Sequence, residues 1–435
     1  MPDFVTITKQ VPVAGTYDVA VCGGGPAGFV AAVSAARAGM RVALIERYGF
    51  FGGTATGGYV NPISGFFHKE KRVVGGIAWE LVERLEKLGA AQVEYPKGHV
   101  SFHGETYKLV ADEMLQEAGV TLYTNAFLSG CTMDGERITH VTLESKNGTE
   151  AIAARLFIDA TGEADLCRMA RVPMAVQETL QPMSLCFVLE GVDLTTPLLR
   201  GYIHHNGVGG AASCQMEIHD YLAGCIAGGR LEQFGGPWFN SMVEGGAVTV
   251  NITRRAANAA DREEMTRAET QLRRDMFRIV ALLKEKYEEF RHCSIVASAV
   301  NAGVRETPRI EGIGRMTVES MLSGEAPSCP VARCAHPMDI HAAGTHRQSL
   351  TKLELSPYVP HTALIPRRTD NLIAAGRCIS ADAPSYASLR VQATLMAVGE
   401  SAGLMATLCC RTDCSPAALD ASMLKRAIDE RGVVR

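Results

Sequence analysis

The segment Tyr17-Asp18-Val19-Ala20-Val21-Cys22 runs directly into Gly23-Gly24-Gly25-Pro26-Ala27-Gly28. An apolar, valine-containing hexamer reads as a buried parallel strand, and G-x-G-x-x-G at its end restricts what can follow. Phe29 to Gly39 is alanine-rich and closes on glycine, the pattern of a helix with its stop signal. Arg41 to Ile45 is a second apolar strand, ending on Glu46. In this order the parts predict a βαβ unit. Gly23 allows the tight turn, Gly25 lets a pyrophosphate approach the backbone, and Gly28 lets the helix pack on the strand. The helix start, with Pro26 and Ala27 between the second and third glycines, offers free N–H groups and a positive dipole end. Glu46, eighteen residues past Gly28, is placed to accept both ribose hydroxyls of an adenosine. A carboxylate there argues against a 2′-phosphate, hence against NADP. FAD and NAD both stay open at this point.

A chain of 435 residues is long for one small domain, so two packed domains are expected. Its net charge of −4 creates no basic field for nucleic acid or an anionic membrane. Apolar stretches such as Thr394 to Ala406 are broken by glycine, glutamate or serine and fall short of the ~20 residues of a bilayer span. Met1 to Thr16 lacks a basic stretch followed by an apolar run, so no secretory signal is expected. The 13 cysteines are odd in number, scattered and often inside apolar segments, as expected of reduced thiols in the cytoplasm.

Downstream segments carry a family resemblance. Gly49 to Gly58 (GFFGGTATGG) is similar to the loop after the second strand in glutathione-reductase-like flavoproteins. Phe157-Ile158-Asp159-Ala160-Thr161-Gly162 resembles the Ala-Thr-Gly element of that superfamily, and Asn371 to Cys378 resembles its last strand. Ser388-Leu389-Arg390-Val391-Gln392-Ala393 then opens a helix running through Gly403. In relatives this helix points its N-terminus at the pyrimidine end of the flavin, where reduction places negative charge. Gly303 to Gly312 and Pro337 to His341 narrow the likeness to the FAD-dependent oxidoreductases, a family with many bacterial members. The resemblance implies an α/β fold: a discontinuous Rossmann-like FAD-binding domain with a mixed α+β substrate or cap domain. It also implies FAD contacts at Arg47, Gly52, Gly53, Thr54, Phe127, Ala160, Thr161, Gly162, Gly376, Arg377, Arg390, Gln392 and Ala393, beside the glycine-loop residues and Glu46. One departure is Asp382, where relatives often show a histidine.

The expected division is 1–175 and 361–435 for the FAD domain, with 176–360 inserted. The insert holds predicted strands at Leu185–Glu190 and Ala247–Ile252 and a long amphipathic helix from Asp261 to Glu289. No second strand–glycine–helix unit is legible: Gly207-Val208-Gly209-Gly210 and Gly312-Ile313-Gly314 follow no apolar strand. Electrons are therefore expected from a small organic substrate, as a hydride onto flavin N5, with oxygen or another carrier as acceptor. The alternative is a flavin-binding electron-transfer subunit, or structural FAD. A homo-oligomer is possible; substrate identity is not legible.

For the chemistry, His336, His341 and His346 cluster with Asp339 in a turn-rich segment. His341 is the first choice for a base or substrate contact, with Asp339 orienting it. Arg305 and Arg309 are candidates to hold a carboxylate or stabilise reduced flavin, and an ion pair with Glu306 or Glu311 is the plainer reading. His99 and His103 flank Phe102 and are a weaker lead at the flavin, while His204-His205 reads as exposed loop. His336, Asp339 and His341 match no standard zinc spacing, so no metal is expected. Cys329 and Cys334 are spaced as in redox disulfides but lie far from the first βαβ unit, and read as structural thiols.

Overall fold

The computed structural model describes residues 5–435 apart from 96–97, 176, 178, 201–211 and 242–246, and leaves undescribed the side chains of 200 and 212–216. Gly207–Gly210 and His204-His205 lie outside the described residues.

The opening unit forms as the glycine pattern requires: strand Val13–Cys22, helix Pro26–Arg37, strand Val42–Ile45. Val19 to Cys22 and Val42 to Ile45 are buried, as suits parallel strands covered on both faces. Across the sheet the order is Thr121–Tyr123, Val42–Ile45, Val13–Cys22, Gly148–Asp159, Arg137–Ser145, Phe127–Asp134. The strand Leu372–Ala374 joins the far half of Gly148–Asp159 in parallel, at Phe157 to Asp159. Five strands thus run parallel, and register aligns their carboxyl ends at Cys22, Ile45, Tyr123, Asp159 and Ala374. In an open α/β sheet, ligands bind beyond that edge. The expected hairpin around Asn147-Gly148 is present as Arg137–Ser145 against Gly148–Asp159, with Gly148 at φ 94°.

A separate antiparallel sheet has the order Trp238–Ser241, Val248–Asn251, Phe187–Glu190, Ser294–Ser298. The long helix Arg262–Lys286 packs Met276, Ile279 and Leu283 into the core of this sheet with Phe187, Leu189 and Val250. Asp261 caps it, accepting from the N–H groups of Glu263 (2.8 Å) and Glu264 (2.9 Å).

The sequence expectation of one helix from Ser388 needs correction. A short helix, Ala383–Leu389, stops at Arg390, and Gln392–Thr412 begins afresh after an extended Val391 (φ −77°, ψ 153°). The second helix reaches 21 residues, long and apolar enough to cross a bilayer, against the shorter apolar stretch read from sequence. Its faces are occupied inside the fold, with 94% of its apolar window buried. A Cβ on Gly399 would lie 2.1 Å from the Ala27 carbonyl oxygen, and one on Gly403 2.5 Å from that of Ala31. Glycine here lets the two helices that frame the site approach backbone to backbone.

Candidate functional site

A cavity of about 440 Å³ opens at the carboxyl edge of the parallel sheet and reaches the antiparallel sheet. Gly25, Glu46 and Arg47 line one end, Gly376 and Arg377 the middle, and Trp238, Asn240 and Asn251 the other end.

At the first end the glycines act by space. Gly23 has φ 98°, and a Cβ there would meet the Ala160 carbonyl oxygen at 2.4 Å. A Cβ on Gly28 would fall 1.8 Å from the Gly23 oxygen. Gly25 is different: its backbone (φ −68°, ψ −173°) suits any residue, and the nearest atom to an added Cβ is Gly53 Cα at 4.0 Å. Neither strain nor packing calls for glycine at 25; the space in front of it does. No side chain caps the helix Pro26–Arg37 that starts there, nor Gln392–Thr412, whose cap residue Val391 also lines the cavity. Asp261, Asp382 and Asp420 do cap their helices. The bare helix ends therefore face the same cavity with free N–H groups and positive dipole ends. A diphosphate at one and a flavin ring at the other would satisfy both, so these residues fit FAD.

Glu46 Oε2 accepts from the Gly24 N–H (2.6 Å) and Oε1 from the Tyr48 N–H (3.0 Å). Burial pushes its carboxyl up, and these donors counter that. Asp159, fully buried, accepts from Thr161 N (3.1 Å), Thr161 Oγ1 (2.7 Å) and Cys167 N (2.8 Å), which fixes the Ala160-Thr161-Gly162 turn on the cavity wall. Arg377 lies against Gly162 and pairs with Glu163 at 2.5 Å. Pro26, Ala27, Gly53, Thr54, Arg390 and Gln392 also line the cavity. Gly28, Gly52 and Ala393 sit behind the lining; Gly52 N donates to the Gly24 carbonyl at 2.9 Å and sets the loop. Phe127 is 58% exposed on the edge strand Phe127–Asp134, and its side chain is placed away from the cavity.

The far end is built from side chains. His341, at the end of the strand Met338–His341, is buried, with both ring nitrogens engaged. Arg254 Nη2 lies 2.7 Å from Nδ1, and Asp339 Oδ2 lies 2.9 Å from Nε2. A guanidinium only donates, so Nδ1 accepts and Nε2 carries the proton toward Asp339. Burial and then the Arg305 charge bring His341 down to about 3, against the pull of Asp339. Asp339 also accepts from Arg390 (3.2 Å) and Gln348 (2.6 Å). Burial alone would raise its carboxyl; the bond from His341 and the Arg390 charge hold it well below the usual range. Arg305 donates to the Pro182 carbonyl and Ser184 Oγ, both 2.7 Å. Burial and the charges of Arg390 and Arg254 lower it to about 9, so it stays cationic at neutral pH.

His336 lines the cavity beside Arg390. Its Nδ1 lies 2.9 Å from the Pro337 carbonyl oxygen, an acceptor only, so Nδ1 carries the proton and Nε2 is left with a free lone pair. Burial and then the Arg390 charge lower its pKa, which keeps the ring neutral.

Several candidates fall elsewhere. Arg309 is 1% exposed and outside the cavity: it pairs with Glu306 (2.5 Å), donates to the Ala381 carbonyl (2.9 Å) and lies over the Tyr386 ring. The plainer ion-pair reading holds for it. His346 stacks on Phe234 beside His219 and is not part of the cavity lining. His103 caps the helix Gly104–Glu117, whereas His99 lines the cavity and bonds Ser64 Oγ at 2.9 Å. Asp382 caps Ala383–Leu389, a structural task for the position that departs from relatives. Cys329 and Cys334 are buried free thiols. Gly314 donates to the Thr362 carbonyl (3.1 Å), and no helix opens on Gly312-Ile313-Gly314. Sequence reasoning missed Arg254, Gln181 and Asn251. Gln181 accepts from His341 N at 3.1 Å, and no motif surrounds any of the three.

A sequence profile described as FAD dependent oxidoreductase matches residues 18–428. A dihydrolipoyl dehydrogenase of Trypanosoma brucei brucei is 51% identical over 43 residues, which is 10% of this chain and 9% of that protein. A thiamine thiazole synthase of Methanothermobacter thermautotrophicus is 31% identical over 164 residues, 36% of this chain and 58% of that protein. The chain therefore spans less than two thirds of the length of either curated relative, 9% of one and 58% of the other. A geranylgeranyl bacteriochlorophyll reductase-like protein of Thermoplasma acidophilum superposes with a TM-score of 0.48 at 14% identity, over 96% of this chain and 84% of that one. With the profile running over almost the whole sequence, the chain belongs to the FAD dependent oxidoreductase family, and FAD is the cofactor its glycine loop and bare helix ends are built to hold.

Proposed function

We propose that this chain is an enzyme that oxidises a small organic molecule by two electrons, with the substrate in the chamber between Arg377 and the antiparallel sheet. The observation that supports this reading is the cavity itself, which runs on from the glycine loop past Arg377 to Trp238, Asn240 and Asn251 and carries the ionisable side chains of His336 and Arg305 on its wall. When bound, FAD supplies an acceptor for a hydride at N5, and oxygen or another carrier takes the electrons on.

The chain's part is to bind, orient and accept the proton. His341 was the first candidate for the base, but its lone pair is already given to Arg254 and its N–H to Asp339. It is read here as a positioning residue that fixes Arg254 and Asp339. His336 Nε2, neutral and open to the cavity, is the better base.

The test is anaerobic: the yellow holoprotein is mixed with a metabolite panel, and the visible flavin band bleaches with the right member. If none bleaches it while a reduced partner protein does, the chain is an electron-transfer subunit and the proposal fails. With a substrate in hand, His336→Gln keeps its flavin but slows reduction about 10²–10⁴-fold and loses the acid limb of the pH profile. A variant with an unchanged acid limb would remove His336 from the role.

A further inference from the structure

Resting on that reading of the chamber, we propose that its substrate is a carboxylate, gripped by Arg305 and Arg390. The argument is one of charge and unfilled donors. Three guanidinium groups gather here, Arg254, Arg305 and Arg390, around one carboxylate, that of Asp339. His341 between them is neutral, since its Nδ1 accepts from Arg254. Glu163 is taken by Arg377 and Glu306 by Arg309, so neither offsets the cluster. Among the described residues the cluster carries an excess of two positive charges in a buried place. Burying an unpaired ion costs several kcal/mol, which an anionic ligand relieves.

The donors point the same way. Arg390 is anchored through Nη2 on the Asp339 carbonyl (3.0 Å) and carboxylate, while its Nε is buried with no partner. Arg305 is anchored through Nη1 on Pro182 and Ser184, and its Nη2 has only a long contact, 3.4 Å, to Asn251 Oδ1. Both side chains line the cavity, and Arg305 is pinned at one corner with its Nη2 only loosely held. A planar guanidinium fork on the cavity wall matches the paired oxygens of a carboxylate.

The geometry also separates this site from stabilisation of the flavin alone. The bare start of Gln392–Thr412 already supplies positive potential on the FAD side of the cavity. Arg305 is anchored instead on Pro182 and Ser184, next to the antiparallel strand Phe187–Glu190. Of the two excess charges, one is met by the substrate carboxylate. The other is available for the negative charge that accumulates in the cavity on two-electron reduction.

The experiment titrates oxidised holoprotein with matched acid and amide pairs, acetate and acetamide, benzoate and benzamide, succinate and succinamide, following the visible flavin spectrum. At least one acid binds about tenfold or more tighter than its amide, and Arg305→Gln and Arg390→Gln each lose that preference. Amides that bind as tightly as acids, or a spectrum unmoved by any acid, overturn the proposal in the wild-type protein alone. Inorganic phosphate competing as well as the acids also overturns it, because the site would then be a general oxyanion site. The result stands apart from the anaerobic screen. Acids that bind without any metabolite bleaching the flavin would sink the enzymatic reading only. An uncharged substrate that bleaches it while acids stay silent would sink the carboxylate only.

Discussion

At the glycine loop the chain prepares for an anion chiefly with backbone, whereas at the far end of the same cavity it gathers guanidinium groups from residues 254, 305 and 390. The loop end has no arginine on its helix start; it has an uncapped N-terminus and a glycine that opens space. The arginine end adds three guanidinium groups beside the bare start of Gln392–Thr412 and depends on Asp339 and His341 to hold its cations apart. A dinucleotide's diphosphate is the same in every relative, so a fixed backbone cradle suffices for it. A substrate pocket is adjusted side chain by side chain. Substitutions at one end should act through space, and at the other through charge.

The largest effect is expected at Asp339. Asp339→Asn removes the carboxylate that faces three cations and costs about 3–5 kcal/mol, read by chemical denaturation of the holoprotein. A loss under about 1 kcal/mol would mean that the cluster is better screened than its burial implies. Next is Gly28→Ala at the loop end. Its Cβ would sit 1.8 Å from a backbone oxygen that cannot swing aside, so about 3 kcal/mol and most of the bound flavin are lost together. If this variant kept its flavin at wild-type stoichiometry, the loop end would not be governed by space.

These two ends also differ in what the sequence discloses. The strand, glycine loop, helix and Glu46 lie within thirty consecutive residues, so local periodicity and one motif suffice to place them. The second helix start was mislocated because the segment after Ser388 is helical in composition, and only the fold shows the break at Arg390–Val391. Arg254 and Arg305 meet His341 through tertiary packing across long stretches of chain, and no spacing rule connects them. Arg305 and Arg309 looked alike in sequence; four residues apart, one faces the cavity and the other is spent on Glu306. His336 and His341 were separable only once their hydrogen-bond partners were known.

A smaller effect tests whether charge rules the arginine end through pH. His341 stays neutral in the fold down to about 3, while an unfolded histidine titrates near 6.5. Between those values the unfolded chain binds more protons, so this contribution is complete above pH ~6.5 and is lost as pH falls toward 3. The Gln of His341→Gln can accept from Arg254 and donate to Asp339 without titrating. Its stability should fall less steeply than the wild type's on acidification, with the two curves diverging by about 2 kcal/mol near pH 5. Parallel curves would show that the ring is charged in the fold, and the assignment of its Nδ1 as an acceptor would be wrong.

The smallest change in stability gives the sharpest test of the loop end. At Gly25 the backbone already suits alanine, and the added Cβ would touch Gly53 Cα at 4.0 Å without crowding it. Gly25→Ala should therefore leave the apoprotein's stability within about 0.5 kcal/mol of the wild type's, because the freedom the unfolded chain loses is offset by alanine's poorer fit at a helix N-cap. The same methyl group fills the space before the bare helix end, and FAD affinity should drop by about tenfold or more, read by equilibrium titration of apoprotein. Gly28→Ala loses fold and flavin together; Gly25→Ala should lose flavin alone. If it binds FAD as the wild type does, the open space at residue 25 is incidental and the diphosphate lies elsewhere along the cavity. If it loses stability instead, an unseen packing constraint holds glycine there, and the contrast between a backbone-built end and a side-chain-built end fails at its simplest point.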